Sequence, residues 1–310
     1  MHEILNFVFC VNDGYTHYLA VPIRSICENH RENKLVIHIF TDSISERNQS
    51  LLNNEIRHFK NAQLKFHFID DKGLKGLSEK WSIYAWYRIL APILLPDVQR
   101  CLYLDADTLV CNNLSELFSM PMDDSPIACV IDVENFNEET RVRCGMSKGD
   151  TYVCSGIMLM NLEYWREHKL SDRIIKWAKE NNDRIKFPDQ DTLNILCKDN
   201  KIVLPIKYGL QNVFFRNDNF YSGELQKQLK DAYQTPAIIH YAGCAPWITE
   251  FSNNPLHNYW RKYNNMLSHK VSMRYKTQGI NGLKVRLWRL LHPYNANADR
   301  LQIESKLRLK

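Results

Sequence analysis

The sequence predicts an α/β protein whose sheet, parallel through its first strands, is flanked by helices. Three observations predict it. Between residues 5 and 69, apolar strand-length runs alternate with helix-like segments, the spacing of βαβ units. Most of the apolar runs stop at polar turn residues that include an aspartate. The composition, 45% hydrophobic and 24% charged, is that of a folded globular chain, and 310 residues can bury one large core.

The elements follow in order. Residues 5–11 read as a buried strand stopped by Asn12-Asp13-Gly14. Residues 15–28 read as a helix, 35–40 as a second strand, 45–59 as a helix with Glu46 near its start, and 64–69 as a third strand. A helix over 83–95 ends at Pro96, and the short strand 101–104 runs into Asp105-Ala106-Asp107. Strands follow at 127–131 and 156–162, helices at 170–179 and 188–197, and a strand at 237–240. After about residue 264 strand character is lost, which divides the chain into a catalytic-type domain, 1–264, and a tail, 265–310. Ligands of such sheets bind beyond the carboxyl ends of the strands, so residues that follow a strand are the first candidates for chemistry.

Nine cysteines, an odd number with no C-x-x-C pair, point to a reducing compartment and away from a zinc site or disulfide framework. The start lacks a basic leader, and no run reaches spanning length, so the expectation is a cytoplasmic protein that is neither exported nor integral to a membrane. The net charge of +5 is uneven. Residues 270–310 carry ten Lys or Arg against two acids, while the rest of the chain is slightly acidic.

The strongest chemical signal is CLYLDADTLV, residues 101–110. Two carboxylates at i and i+2 on an extended backbone point to one side. Asp105 and Asp107 can share one divalent cation, or one can bind it while the other orients a sugar. Hard oxygen ligands suit Mg²⁺ or Mn²⁺, and such an ion can stabilise a departing diphosphate. A polar turn after a strand is the plain alternative, and a second D-x-D, Asp189-Gln190-Asp191, shows how common the motif is. His240, at a strand end, can complete an oxygen-rich site with a neutral imidazole, although a lone histidine is more often structural. Asp189 and Asp191 also suit a helix start; Gln190 has no such explanation.

Six ordered segments resemble glycosyltransferase family 8, which includes bacterial lipopolysaccharide galactosyl- and glucosyltransferases and glycogenin. They are FCVNDGYTHYLAVPIRSI (9–26), YRILAPILLP (87–96), LYLDADTLV (102–110), CSGIMLMNLEYWR (154–166), FPDQDTLNIL (187–196) and IHYAGCAPW (239–247). The resemblance implies a GT-A type, Rossmann-like mixed sheet flanked by helices, here followed by a basic helical tail. It implies a UDP-sugar donor, Mn²⁺ (or Mg²⁺) as cofactor, and a retaining hexosyl transfer of glucose or galactose to a glycan or lipid-linked acceptor of lipopolysaccharide or capsule type. By position, Asp105, Asp107 and His240 would bind the metal. Cys10, Val11, Asn12 and Tyr15 would line the uracil and ribose pocket. Arg88, Asp132, Asp189 and Gln190 would hold the sugar, with Ala106, Cys154 and Ser155 also at the substrate. Gly243 would admit the diphosphate. Gln190 could stabilise a cationic anomeric centre, or Asp189 could act as a covalent nucleophile; the residues leave that choice open.

Three positions depart from the family's pattern: Asn12 for Asp, Cys154 for Asn, and Ala245 for a phosphate-binding Lys before Pro-Trp. The last calls for another cation, with Lys207 and Arg216 as candidates. A catalytically silent nucleotide-sugar binding protein is therefore the rival reading. A nucleotidyltransferase ranks lower, because the first loop lacks a basic residue. In the tail, Leu283, Val285, Leu287, Trp288, Leu290 and Leu291 alternate with Lys284, Arg286 and Arg289, an imperfect amphipathic face that can lie on anionic lipid, peripheral to the inner face of a membrane. A helix packed on the domain or an exposed basic arm are the alternatives. No nucleic-acid-binding motif is present.

Overall fold

The computed structural model describes residues 4–77, 82–248, 254 and 256–274, with 279–281, 283, 284 and 287 beyond them. Its centre is a seven-stranded sheet. In chain order the strands are β1 (Ile4–Cys10), β2 (Lys34–Thr41), β3 (Ala62–Phe68), β4 (Arg100–Leu104), β6 (Ile127–Ile131), β7 (Val153–Asn161) and β8 (Ile202–Leu204). A second, three-stranded sheet holds β5 (Thr108–Val110), β9 (Leu210–Gln211) and β10 (Ile238–His240).

The large sheet runs β3-β2-β1-β4-β7-β6-β8. Pairings among β1, β2, β3 and β4 are parallel, as the βαβ spacing predicts, and so is β6 with β8. The expected strand at 156–162 begins earlier, at Val153, and runs antiparallel between β4 and β6. The sheet is therefore mixed. Antiparallel pairing brings the start of β7 to the end of β4, with Leu104 opposite Ile157. This is what gathers residues 153–156 onto the functional edge.

Both faces of the sheet are covered. Phe7, Phe9, Leu102 and Leu104 join the core on one face, while Val8, Cys10, Cys101 and Tyr103 join the core on the other. Successive residues of a strand point to opposite faces, so strands buried on both sides read as continuous apolar runs. The helices Ala20–Asn29, Glu46–Ile56, Leu170–Glu180 and Pro188–Leu196 match the expected segments closely. Ser45 caps the second of these, its hydroxyl accepting from the Asn48 N–H.

Two expected helices are interrupted. Residues 13–29 break at a 3₁₀ turn, His17–Leu19, and residues 84–94 break at another, Arg88–Leu90. Each turn lies just before a proline, Pro22 and Pro92. Proline lacks the N–H that would bond the carbonyl four residues earlier, on Tyr18 and Arg88 respectively. The helix Gly223–Gln234 and the short strands β5, β8 and β9 are additional to the expected elements, whereas β10 matches the strand expected at 237–240.

Beyond helix His257–Asn264 the chain stays on the domain as far as Arg274. Leu267 and Val271 are buried in the core, and the Ser268 N–H donates to Glu55. The expected amphipathic stretch falls mostly outside the described residues, including Val285, Arg286, Trp288, Arg289, Leu290 and Leu291. Among the described residues, no helix is long and apolar enough to cross a membrane.

Candidate active site

At the carboxyl ends of β1 and β4 lies a cavity of about 560 Å³. Its walls include Cys10, Val11, Asn12 and Tyr15 from the end of β1 and the turn that follows it. Asn12 caps that turn, its side-chain oxygen accepting from the Tyr15 N–H at 2.9 Å. Arg88, Asp105, Ala106, Asp107 and Gly243 complete the expected lining. Gly243 has φ of +70°, a conformation that glycine adopts without steric cost.

The two aspartates converge, but not through strand alternation. Asp105 follows β4, and Asp105-Ala106-Asp107 is a tight turn between the two sheets. Thr108 closes it, donating to the Asp105 carbonyl from its N–H (3.1 Å) and its Oγ1 (2.8 Å). β5 then pairs antiparallel with β10, with His240 opposite Thr108. The imidazole Nε2 thus stands 3.3 Å from Asp107 Oδ1 and 3.7 Å from Asp105 Oδ2. One ligand atom from each residue lies within 4.8 Å of the others, a group that can hold a metal ion. Two carboxylates and one imidazole form a donor set suited to a hard or borderline divalent cation.

The surroundings prepare that set. The thiol of Cys154 lies 3.6 Å from His240 Nδ1. With the ring N–H directed at that sulfur, the Nε2 lone pair faces the carboxylates. Burial works against charge on His240, yet Asp107 and Cys154 outweigh it and hold the imidazole well above its usual range. In chemical terms, the pocket attracts positive charge at Nε2, and a metal ion competes with a proton for that place. Asp105 is also set against burial: Arg88, His240 and the Tyr103 hydroxyl keep its carboxyl below the usual value. That hydroxyl donates to Oδ1 at 2.5 Å.

Arg88 organises the floor. It is buried, with its guanidinium over the Tyr103 ring at 4.0 Å. Nε donates to the Ala85 carbonyl (2.8 Å), Nη1 to the Ser155 carbonyl (2.7 Å) and Nη2 to Asp105 (3.1 Å). Asp189 Oδ2 lies 3.2 Å from Nη1 as an ion contact without hydrogen-bond geometry. Burial raises the Asp189 carboxyl against the opposing pull of Arg88.

Gln190 accepts from the Ser155 N–H through Oε1 (3.0 Å) and donates from Nε2 to the Tyr152 hydroxyl (3.3 Å). Asp132 is buried at the end of β6. Burial raises its carboxyl, while its hydrogen bonds to Glu134 and Gln211 and the charge of His240 oppose this. Asp132, Cys154, Ser155, Asp189, Gln190 and His240 are not part of the described lining of this cavity, although His240 and Asp189 are in contact with lining residues.

Several participants escape the sequence reading. Tyr103 looks like a strand core residue until its hydroxyl is seen on Asp105. Trp247 stacks on Tyr18 at 4.1 Å, and Arg274 reaches the wall from beyond the matched segments. Gly156 is needed for space. A Cβ built there would lie 2.4 Å from His240 Cε1 and 2.6 Å from Asp105 Oδ2. Lys207 pairs with Glu116 at 3.5 Å, and Arg216 is exposed; the described lining includes neither.

Comparison with known proteins agrees with this geometry. The family model "Glycosyl transferase family 8" matches residues 6–250. A lipopolysaccharide 1,2-glucosyltransferase of Escherichia coli is 27% identical over 271 residues, 85% of this chain and 79% of that protein. General stress protein A of Bacillus subtilis (strain 168) is 27% identical over 278 residues, 86% of this chain and 94% of that one. The fold is similar to the crystal structure of the galactosyltransferase LgtC in complex with donor and acceptor sugar analogs. The TM-score is 0.75 at 22% identity, over 91% of this chain and all (100%) of that one.

Proposed function

The chain belongs to glycosyltransferase family 8, and from that premise we propose that it is a retaining hexosyltransferase using a UDP-sugar and Mn²⁺. The acceptor we propose is a glycan or lipid-linked saccharide of the lipopolysaccharide or capsule type, in keeping with the named activity of the E. coli relative. The observation that carries the proposal is the meeting of Asp105, Asp107 and His240 beside a cavity of nucleotide-sugar size.

In this reading Cys10, Val11, Asn12 and Tyr15 take the uracil and ribose, and Gly243 lets the diphosphate approach the backbone. Arg88, Asp132, Asp189 and Gln190, with Ala106, Cys154 and Ser155, border the hexose. A divalent cation held by Asp105, Asp107 and His240 supplies positive charge to the diphosphate oxygens. The bond from C1 to the diphosphate breaks with its electron pair going to the phosphate oxygen. The acceptor hydroxyl oxygen bonds to C1 on the face that the diphosphate leaves, and its proton passes to the departing phosphate.

The burial of Asp189 and its ion contact with Arg88 favour this front-face route over a covalent one. The carboxylates on the described wall are Asp105 and Asp107, which face His240 and not an open sugar site.

The test is Mn²⁺-dependent transfer and hydrolysis with UDP-glucose and UDP-galactose. Chelation abolishes turnover and added Mn²⁺ restores it. Asp105→Asn abolishes turnover while the fold, read by circular dichroism, persists; transfer at the wild-type rate by this variant would sink the assignment.

Ala245 favours one rival, a nucleotide-sugar binding protein without turnover. Tight UDP binding without donor hydrolysis would select it. For the tail, we propose that the residues beyond Arg274, rather than the whole of 265–310, carry the enzyme to the inner face of a membrane, where a lipid-linked acceptor resides. The excess of basic residues after 270 and the exposure of Leu283 and Leu287 support this. Unchanged sedimentation with anionic vesicles after deletion of 275–310 would contradict it.

A further inference from the structure

The charged side chains on the described cavity wall are Asp105, Asp107, Arg88 and Arg274. Arg88 is committed: its donors serve Ala85, Ser155 and Asp105, and Asp189 balances its charge. Arg274 is exposed, and among the described residues it forms no ion pair. Its guanidinium lies 5.6 Å from the centre of the Tyr18 ring, which itself stacks on Trp247. The described wall thus presents one cation whose charge is not already neutralised.

That cation is held in place by its backbone. Val271 is buried and bonded twice to Asn264: its N–H donates to Oδ1 at 2.8 Å, and its carbonyl accepts from Nδ2 at 3.0 Å. Three residues on, the Arg274 N–H donates to the Trp247 carbonyl at 2.8 Å, and Arg274 pairs with Ile248 as an isolated bridge. The segment 271–274 therefore crosses the turn that starts at Ala245, where the Ile248 N–H bonds back to the Ala245 carbonyl at 3.0 Å. Ala245 is on the same wall and offers only a methyl group.

We propose that Arg274 binds the diphosphate of the nucleotide donor and stabilises it as it departs, across the space that the short side chain of Ala245 leaves open. The proposal rests on the nucleotide-sugar reading above. A guanidinium suits this role because its charge is permanent and its planar fork matches phosphate oxygens two at a time. The departing diphosphate gains negative charge, so an unneutralised cation helps the leaving group more than the bound donor.

The experiment compares equilibrium binding of UDP and of uridine, with Mn²⁺ present, to the wild type, Arg274→Ala, Arg216→Ala, and Arg274→Ala combined with Ala245→Lys. Loss of a charge-assisted phosphate contact weakens UDP by about 10- to 100-fold. Uridine, which has no phosphate, binds Arg274→Ala as it binds the wild type. A lysine at 245 in the same variant recovers most of the UDP affinity.

Unchanged UDP affinity in Arg274→Ala overturns the proposal. So does an equal loss for uridine, which would mark a structural role through Tyr18 and Trp247. So does a loss that appears in Arg216→Ala instead, or a lysine at 245 that recovers nothing. A wild-type protein that does not bind UDP at all refutes the nucleotide-sugar reading itself, and that failure is visible before any variant is made.

Discussion

Substituting Gly156 by alanine tests the proposed metal centre from a residue outside its three candidate ligands. Gly156 is the residue of β7 whose carbonyl accepts from the Asp105 N–H at 2.8 Å, so its Cα is fixed against the metal turn. A Cβ there would stand 2.4 Å from His240 Cε1 and 2.6 Å from Asp105 Oδ2. Ordinary carbon–carbon contact begins near about 3.5 Å, so the imidazole must retreat by about 1 Å. It is buried, with Cys154 at its Nδ1 and Asp107 at its Nε2, so little room is available. Metal ligands tolerate displacements of about 0.2 Å, and a misplacement of about 1 Å costs on the order of 100-fold in rate. Overpacking adds a stability cost of about 1–3 kcal/mol, which leaves the fold intact. The assay is paired: Mn²⁺ affinity by calorimetry and kcat/KM for donor hydrolysis, with a thermal melt to show folding. Both affinity and kcat/KM fall by about 100-fold or more. A folded Gly156→Ala with metal affinity and kcat/KM within about threefold of the wild type would show that the ring has space to move, and the reasoning would fail.

Two further predictions concern stability. Asp191 is buried and accepts from Arg143, the Tyr152 hydroxyl and the N–H groups of Lys186 and Phe187; Asp191→Ala therefore lowers unfolding free energy by about 3 kcal/mol or more in urea titrations. Burial, with His67 and Lys65 adding to it, pushes His38 down to about 3, and burial likewise pushes His257 down to about 4. Both stay neutral in the fold while their unfolded forms take up protons below about pH 6.5, so stability present above that pH is lost as pH falls. At pH 5.5 each costs about 1.4 kcal/mol relative to pH 8, and His38→Phe reduces the measured drop by that amount; a drop of the same size in the variant would refute the assignment.

Much of this architecture was legible because the large sheet is buried on both faces. β1, β2, β4 and β6 stand out as apolar runs, and the aspartates after β4 stand out against them. Strand direction was not legible: periodicity is the same whichever way β7 runs, yet its antiparallel course is what sets Gly156 beside Asp105. The i, i+2 argument joined the right two carboxylates for the wrong reason, since a turn and not a strand brings them to His240. Gly156 was hidden because its role is to leave space, which no φ preference records. β5, β8 and β9, at two or three residues each, are too short to show a period. The helix Gly223–Gln234 did carry one, with Leu225, Leu229, Ala232 and Tyr233 at helical spacing. Arg274 lies outside every motif, and only tertiary contact brings it to the wall.

The divided origin of the proposed metal-binding group has a consequence for biosynthesis. Asp105 and Asp107 are made early, whereas the imidazole rides on β10, which docks against β5 from far along the chain. A nascent polypeptide extending only through Leu204 already possesses every strand of the seven-stranded sheet. It still lacks His240, the third member of the proposed metal-binding group. One core of that sheet is also finished late, because Phe214, Phe220, Leu229, Trp247 and Trp260 pack into it, so the core and the Asp105-Asp107-His240 group are completed by the same C-terminal stretch.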